Sequence, residues 1–235
     1  MRSLAGAFLR APAVRRVVYS TRRAVHALGM RTDPRAMHRA WSNDQLRQIG
    51  ILFTGDVVNV SGWRDDDRGQ PAHKYREYFP EARSYALTNY PGTRGLADEE
   101  GGSIPVDLEA PMPADLAGRF DVVFCHTVLE HVLNVDRAFD ALADLTRDIT
   151  ILVVPFMQDQ HCDEGAYGDY WRFTPTALDG MLRRRGLSTV YVAANDQPWY
   201  PIYLFHVASR QPDAWRGRLP AFTIPAKLGQ QLYPW

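Results

Sequence analysis

The sequence predicts an open α/β sheet of seven mostly parallel strands, with helices on both faces and one antiparallel strand near its C-terminal edge. Three observations carry this expectation. Phe120-Asp121-Val122-Val123-Phe124 is an apolar run entered by an aspartate, the pattern of a strand buried on both faces. Ile149–Val154 is a second such run, separated from the first by a helical interval at Val135–Leu145, so the two read as a right-handed crossover unit. Leu187–Val192 and Tyr203–Ala208 are two closing strands with only a loop between them, which makes one of them antiparallel.

The remaining elements follow from local signals. Asp33 is a plausible N-cap and Pro34 a first-turn residue for a helix reaching Ile49. Gly55 breaks the chain before a short strand at Asp56–Val60. Ser61-Gly62-Trp63 and a charged loop, Arg64-Asp65-Asp66-Asp67-Arg68, come next. A short helix at Lys74–Phe79 ends at Pro80, and Ser84–Thr88 is the second strand. Ile104–Leu108 is a weak third strand because Pro105 cannot donate to a ladder. Thr174-Pro175 opens a helix that runs to Arg185 and stops at Gly186. Residues 1–50 read as a basic helical extension, 51–210 as the domain and 211–235 as an irregular tail.

Composition narrows the function classes. The 235 residues carry 27 Lys and Arg against 27 Asp and Glu, so no net basic face points to nucleic acid. The leader is the exception, with Arg2, Arg10, Arg15, Arg16, Arg22 and Arg23 and no acid before Met30. It reads as a solvated leader, or as a surface helix that touches anionic lipid. Arginines interrupt every apolar stretch that might act as a secretory signal. Cys125 and Cys162 lie far apart outside any CxxC, so a reducing cytoplasm is expected.

Candidate site residues sit where strands end. Gly62 lets backbone approach a ligand, or is a plain turn glycine. Asn89 ends the second strand and can hold a ribose diol or form a turn. Asp107 follows the third strand, placed to accept from an exocyclic amine. His126, Glu130 and His131 form the best polar cluster. With a helix starting near Thr127, Glu130 is a first-turn or capping-box carboxylate, and His131 is a general base or a bonded interface histidine. The loop from Gln158 to Arg172, with His161, Asp163, Tyr170, Trp171 and Arg172, looks like a substrate lid. His161, Cys162 and Asp163 are adjacent and lack metal-ligand spacing, so no metal is expected.

Phe120–Val132, with its "FDVV…LEH" pattern, and Tyr170–Leu182, with "WRFTP…L", resemble the class I S-adenosylmethionine-dependent methyltransferases. The likeness spans roughly residues 55–210. It implies a Rossmann-like sheet, S-adenosylmethionine as cofactor, and a small-molecule or glycan acceptor, most simply methylated on oxygen. The "WRFTP" segment is similar to members in surface-polysaccharide pathways. By implication the cofactor lies across Gly62, Asn89, Asp107, Cys125 and His126. The acceptor lies under Asp163, Tyr170, Trp171 and Arg172, with His131 or His161 removing its proton. Two departures stand out: only Gly62 remains of the family's glycine-rich turn, and Asn89 or Thr88 replaces its ribose-binding acid. A catalytically inactive binding or scaffold protein on the same fold is the alternative reading.

Overall fold

The structure is a computed structural model that describes residues 38–67, 73–92, 102–162, 167–196 and 201–229. The basic leader and Asp163 lie outside the described residues. The elements are, in chain order, helix α1 (His38–Ile49), strands β1 (Asp56–Val60), β2 (Ser84–Asn89), β3 (Ile104–Pro105) and β4 (Phe120–His126), helix α2 (Val135–Leu145), strand β5 (Thr146–Met157), helix α3 (Pro175–Arg183), strands β6 (Ser188–Ala194) and β7 (Ile202–Ser209), and a short helix α4 (Pro212–Trp215).

The strands form one 7-stranded sheet in the order β3-β2-β1-β4-β5-β7-β6. β1, β2, β3, β4 and β5 pair in parallel, while β7 runs antiparallel to both β5 and β6. The loop-only connection foreseen between the last two strands is what permits this reversal.

Alternation along the central strands divides the core into two layers. Val58, Val60, Val123, Cys125, Leu152 and Val154 face the layer filled by Phe139, Leu142, Leu178 and Leu182 of α2 and α3. Val57, Val122, Phe124, Ile151 and Val153 face the other, where Leu46 and Ile49 of α1 meet Tyr75, Tyr78 and Trp215. The boundary drawn at residue 50 therefore does not divide the packing. α1 contributes Leu46 and Ile49 to one core layer, and Trp215 and Leu219 carry the tail into it.

Several local expectations change. β5 extends beyond Ile149–Val154 at both ends because β4 pairs with it from Thr146 and β7 pairs with it as far as Met157. No α-helix starts at Thr127; its φ is +52°, and a single 3-10 turn spans Leu129–His131. The true helix begins at Val135, capped by Asn134, whose side chain accepts from the Arg137 N–H. The charged loop after β1 is not a solvated one. Asp65 and Asp67 are buried, and Asp67 accepts from Asn43 and from the Tyr78 hydroxyl. No helix among the described residues is long and apolar enough to cross a membrane.

At the amino edge of the sheet, Asp121 accepts from the Asp56 N–H at 2.7 Å and from Arg147 at 2.8 Å. Arg147, then the Asp56 amide, hold its carboxyl below the ordinary value against an opposing burial effect. A depressed carboxyl pKa stabilises the fold above 3.8 and loses that contribution as pH falls through the folded value. Asp121→Asn is therefore expected to lower stability by roughly 1 kcal/mol at pH 7, after discounting for solvent screening. The gap should close toward pH 2, as urea unfolding at the two pH values will show.

Candidate functional site

The order of strands reverses between β1 and β4, and the crevice outside their carboxyl ends is where open α/β sheets place ligands. A cavity of about 330 Å³ occupies that position. This falls within the range of small-molecule sites. Its β1–β2–β3 side is formed by Gly62, Trp63, Asn89, Asp107 and Leu108. Its β4–β5–β7 side is formed by His126, Thr127, His131, Gln158, His161 and Tyr203. His38 and Arg39 of α1 close it, with Tyr75.

The turn after β1 is built against local preference. Ser61, Trp63 and Asp65 all have positive φ, at 52°, 49° and 61°. Such conformations disfavour residues with a Cβ and persist only when their surroundings enforce them. Asn89 supplies much of that enforcement. Its Oδ1 accepts from the Trp63 N–H at 2.7 Å, and its Nδ2 donates to the Trp63 carbonyl at 3.0 Å. Asn59 donates to the buried Asp65 at 2.8 Å. A Cβ on Gly62 would come within 2.5 Å of the Asn59 amide, so that glycine makes room for the turn's own brace.

This changes the meaning of Asn89. It lines the cavity, yet half of its hydrogen-bonding capacity already holds the turn. A carboxylate there could accept from Trp63 N–H but could not donate to its carbonyl, which accounts for an amide at this strand end. Trp63 does not plug the cleft. It forms a wall, with the Arg64 guanidinium 5.0 Å from its ring centre.

On the other side, Thr127 N–H donates to Val153 O at 2.8 Å and fixes the end of β4. His126 accepts at Nδ1 from Arg39 at 3.3 Å, because a guanidinium can only donate. Its Nε2 therefore carries the proton and donates to the Ser42 hydroxyl at 3.1 Å, which in turn donates to the Arg39 carbonyl. Burial first, then the Arg39 charge, push the His126 pKa well below its ordinary value, so this imidazole is neutral. Arg39 also donates to Tyr75 and Thr127 hydroxyls. Its hydrogen-bond partners among the described residues are all neutral.

Gly62, Asn89, Asp107, His126, His131 and His161 are thus brought to one cavity. Asp107 accepts from Glu109 N–H at 2.9 Å, closing a turn of its own. Cys125 is not brought there. Alternation along β4 turns its thiol into the α2 core layer, and burial raises its pKa far above the usual thiol range. Tyr170, Trp171 and Arg172 do not line the cavity either. The N–H groups of Tyr170 and Trp171 donate to Glu130 O, which leaves both side chains on the outer surface. Arg172 forms a two-pronged pair with Asp169 at 2.5 and 2.6 Å and pins the loop. Tyr167 takes the lining position instead.

Glu130 is no capping residue. It is fully buried, neither carboxylate oxygen has a hydrogen-bond partner among the described residues, and burial raises its pKa to about 8. His131 donates through Nδ1 to Gly168 O at 2.6 Å, and its pKa is lowered chiefly by burial. One potential donor atom from each of Glu130, His131 and His161 lies within 4.8 Å of the others. The expectation of no metal rested on the spacing of His161, Cys162 and Asp163. It overlooked that folding brings His161 to a different pair.

Sequence reasoning also missed His38, Arg39, Tyr75, Tyr167 and Tyr203. Of these, Tyr167 alone had a usable signal, since it opens the aromatic stretch read as a lid. Asn89→Asp should lose the donor to Trp63 and set two oxygens against each other. A loss of about 1–3 kcal/mol in denaturant unfolding is expected; unchanged stability would remove the amide brace from this account.

No family model matches the chain, and no curated protein matches it. Solved structures do. The Burkholderia thailandensis 1,6-didemethyltoxoflavin-N1-methyltransferase, bound to 1,6-didemethyltoxoflavin and S-adenosylhomocysteine, is 19% identical. The match covers 86% of this chain and 91% of that chain, with a TM-score of 0.51. A protein described as an S-adenosylmethionine-dependent methyltransferase from Listeria monocytogenes is 14% identical over 73% of this chain and 99% of that one, with a TM-score of 0.51. A Bacillus halodurans protein described as a methyltransferase is 12% identical over 71% and 97%, with a TM-score of 0.50. With its strand order and its antiparallel β7, the chain has the fold of the class I S-adenosylmethionine-dependent methyltransferases.

Proposed function

We propose that the protein is an S-adenosylmethionine-dependent methyltransferase that methylates a hydroxyl of a small molecule or glycan. The observation that carries this reading is the place of the cavity. It lies at the reversal of strand order, in a fold where the Burkholderia enzyme holds S-adenosylhomocysteine and its acceptor together.

The residues present fit the cofactor. Arg39, a part-buried cation whose hydrogen-bond partners among the described residues are neutral, suits the carboxylate of the methionine part. Asp107, with one oxygen already in its own turn, suits the exocyclic amine of adenine, and Val106, Leu108 and Trp63 offer apolar walls to the base. The missing ribose acid is a real loss, worth about 1.5–3 kcal/mol for one charge-assisted hydrogen bond. The remaining capacity of Asn89 offsets part of it. When bound, S-adenosylmethionine supplies a methyl group already activated for displacement, so the protein mainly aligns the acceptor.

The acceptor end is the β4–β5 side, where His131, His161 and Tyr167 meet: the two imidazole rings are 5.0 Å apart and Tyr167 is 4.6 Å from His131. These imidazoles are the groups that draw the proton from an acceptor hydroxyl. A glycan acceptor in a polysaccharide pathway is supported by the likeness of the "WRFTP" segment, and contact of the basic leader with a membrane surface would keep the protein near such a pathway.

Titration calorimetry with S-adenosylhomocysteine is the direct test. Saturable heat is expected, and Arg39→Met should weaken binding by about 10- to 100-fold, the equivalent of ~1.4–2.8 kcal/mol. The absence of any heat up to millimolar ligand would favour the non-catalytic scaffold reading instead.

A further inference from the structure

His131 and His161 line one corner of the cavity, and Glu130 is packed beside them without lining it. Glu130 lies behind His131, with no exposed surface and with Oε1 3.9 Å from His131 Nε2. A buried carboxylate whose oxygens have no hydrogen-bond partner among the described residues is costly. Apolar residues could occupy the same volume, as Leu129 does beside it. Such a carboxylate is satisfied either by a proton or by a cation brought to it.

The imidazoles show a complementary arrangement. His131 donates Nδ1–H to Gly168 O. His161 Nδ1 faces two acceptors, Asp169 Oδ2 at 3.3 Å and Asp159 O at 3.4 Å, so its proton also sits on Nδ1. Both rings therefore present Nε2 as the lone-pair nitrogen. Asp169 is itself fixed, accepting from His161 N–H at 2.7 Å and pairing with Arg172. Metal-binding histidines are oriented in this way, one ring nitrogen donating to a carbonyl or carboxylate while the other faces the ion.

We infer that Glu130, His131 and His161 form a binding site for a divalent transition cation at the acceptor end of the cavity. Two imidazoles and one carboxylate suit the zinc, cobalt, iron and manganese class better than calcium or magnesium. Ligand distances of about 2.0–2.2 Å require donors roughly 3–3.5 Å apart. Glu130 Oε1 and His131 Nε2 already stand 3.9 Å apart, and side-chain adjustments of all three residues, largest in the half-exposed His161, bring the donors from within 4.8 Å to the spacing required. Three protein ligands leave coordination positions open toward the cavity that His131 and His161 line. Oxygen-bearing acceptors, such as a vicinal diol or a hydroxy acid, are the ligands those positions take. In the cation-loaded protein both Nε2 atoms are ligands, and the base role proposed above belongs to the cation-free site. Binding of the cation is independent of the methyltransferase reading; only its role toward the acceptor rests on that reading.

The test uses the full chain, stripped with a chelator and titrated with cobalt(II) chloride. One cobalt per chain is expected, seen as visible d–d absorption. Glu130→Gln and His161→Ala should each weaken binding at least tenfold, whereas Cys162→Ser should leave it unchanged. Circular dichroism checks that each variant is folded; His161 lies on a surface loop, so its variant decides the matter if Glu130→Gln unfolds. Absence of a cobalt band in the wild type, wild-type affinity in the folded His161→Ala protein, or loss of binding in Cys162→Ser would each overturn the site. Cofactor heat without cobalt absorption sinks this inference alone, and cobalt absorption without cofactor heat sinks the proposed function alone.

Discussion

The backbone between Ser61 and Asp65 is held in a left-handed course by two amide side chains, and the cavity exists because of it. Asn89 bonds both polar groups of the Trp63 peptide, and Asn59 anchors Asp65 from inside the sheet. Without these bonds, three residues with Cβ atoms would leave their disfavoured φ values, and the indole wall would have no fixed position. Burial makes the brace effective, since buried amides that lose their partners have no water to replace them. A turn of several glycines reaches such a course at no steric cost. Here hydrogen bonds from neighbouring strands do the same work with one glycine.

A second set of polar contacts ties the closing helix to the sheet. The chain from Arg39 through His126 to Ser42 and back to the Arg39 carbonyl links α1 to the end of β4. It keeps a guanidinium inside the cavity while leaving His126 neutral. The site is therefore assembled from three directions: the braced turn, the α1 anchor, and the loop docked on Glu130 O. Each contributes polar groups at the edge of an otherwise apolar sheet, where the strands stop and their side chains no longer face a helix.

The lid-like loop illustrates how backbone pairing can override a side-chain argument. Tyr170, Trp171 and Arg172 are the residue types expected to grip an acceptor. Two main-chain bonds to Glu130 O and the Arg172–Asp169 pair commit them to holding the loop in place. Tyr167, His161 and Gln158, earlier in the same loop, face inward instead. Phe173, buried beside Phe139, is the anchor that fixes which part of the loop faces which way.

The architecture was legible from sequence because it rests on periodicity. Continuous apolar runs mark central strands, a 3.6-residue pattern marks α2, and a loop-only link marks the antiparallel β7; each is a local property that tertiary packing reinforces. The positions of Gly62, Asn89, Asp107 and His126 at or just after strand ends, and of His131 and His161 in the segments beyond them, followed from the same pattern. What those side chains do there did not follow. Whether Asn89 binds outward or braces Trp63, whether Cys125 faces cavity or core, and whether Glu130 caps a helix or lies buried beside two histidines were decided by contacts between residues far apart in the chain. Strand order and backbone direction bring such groups together, and hydrogen-bond partners more than twenty residues away leave no mark in a local sequence pattern.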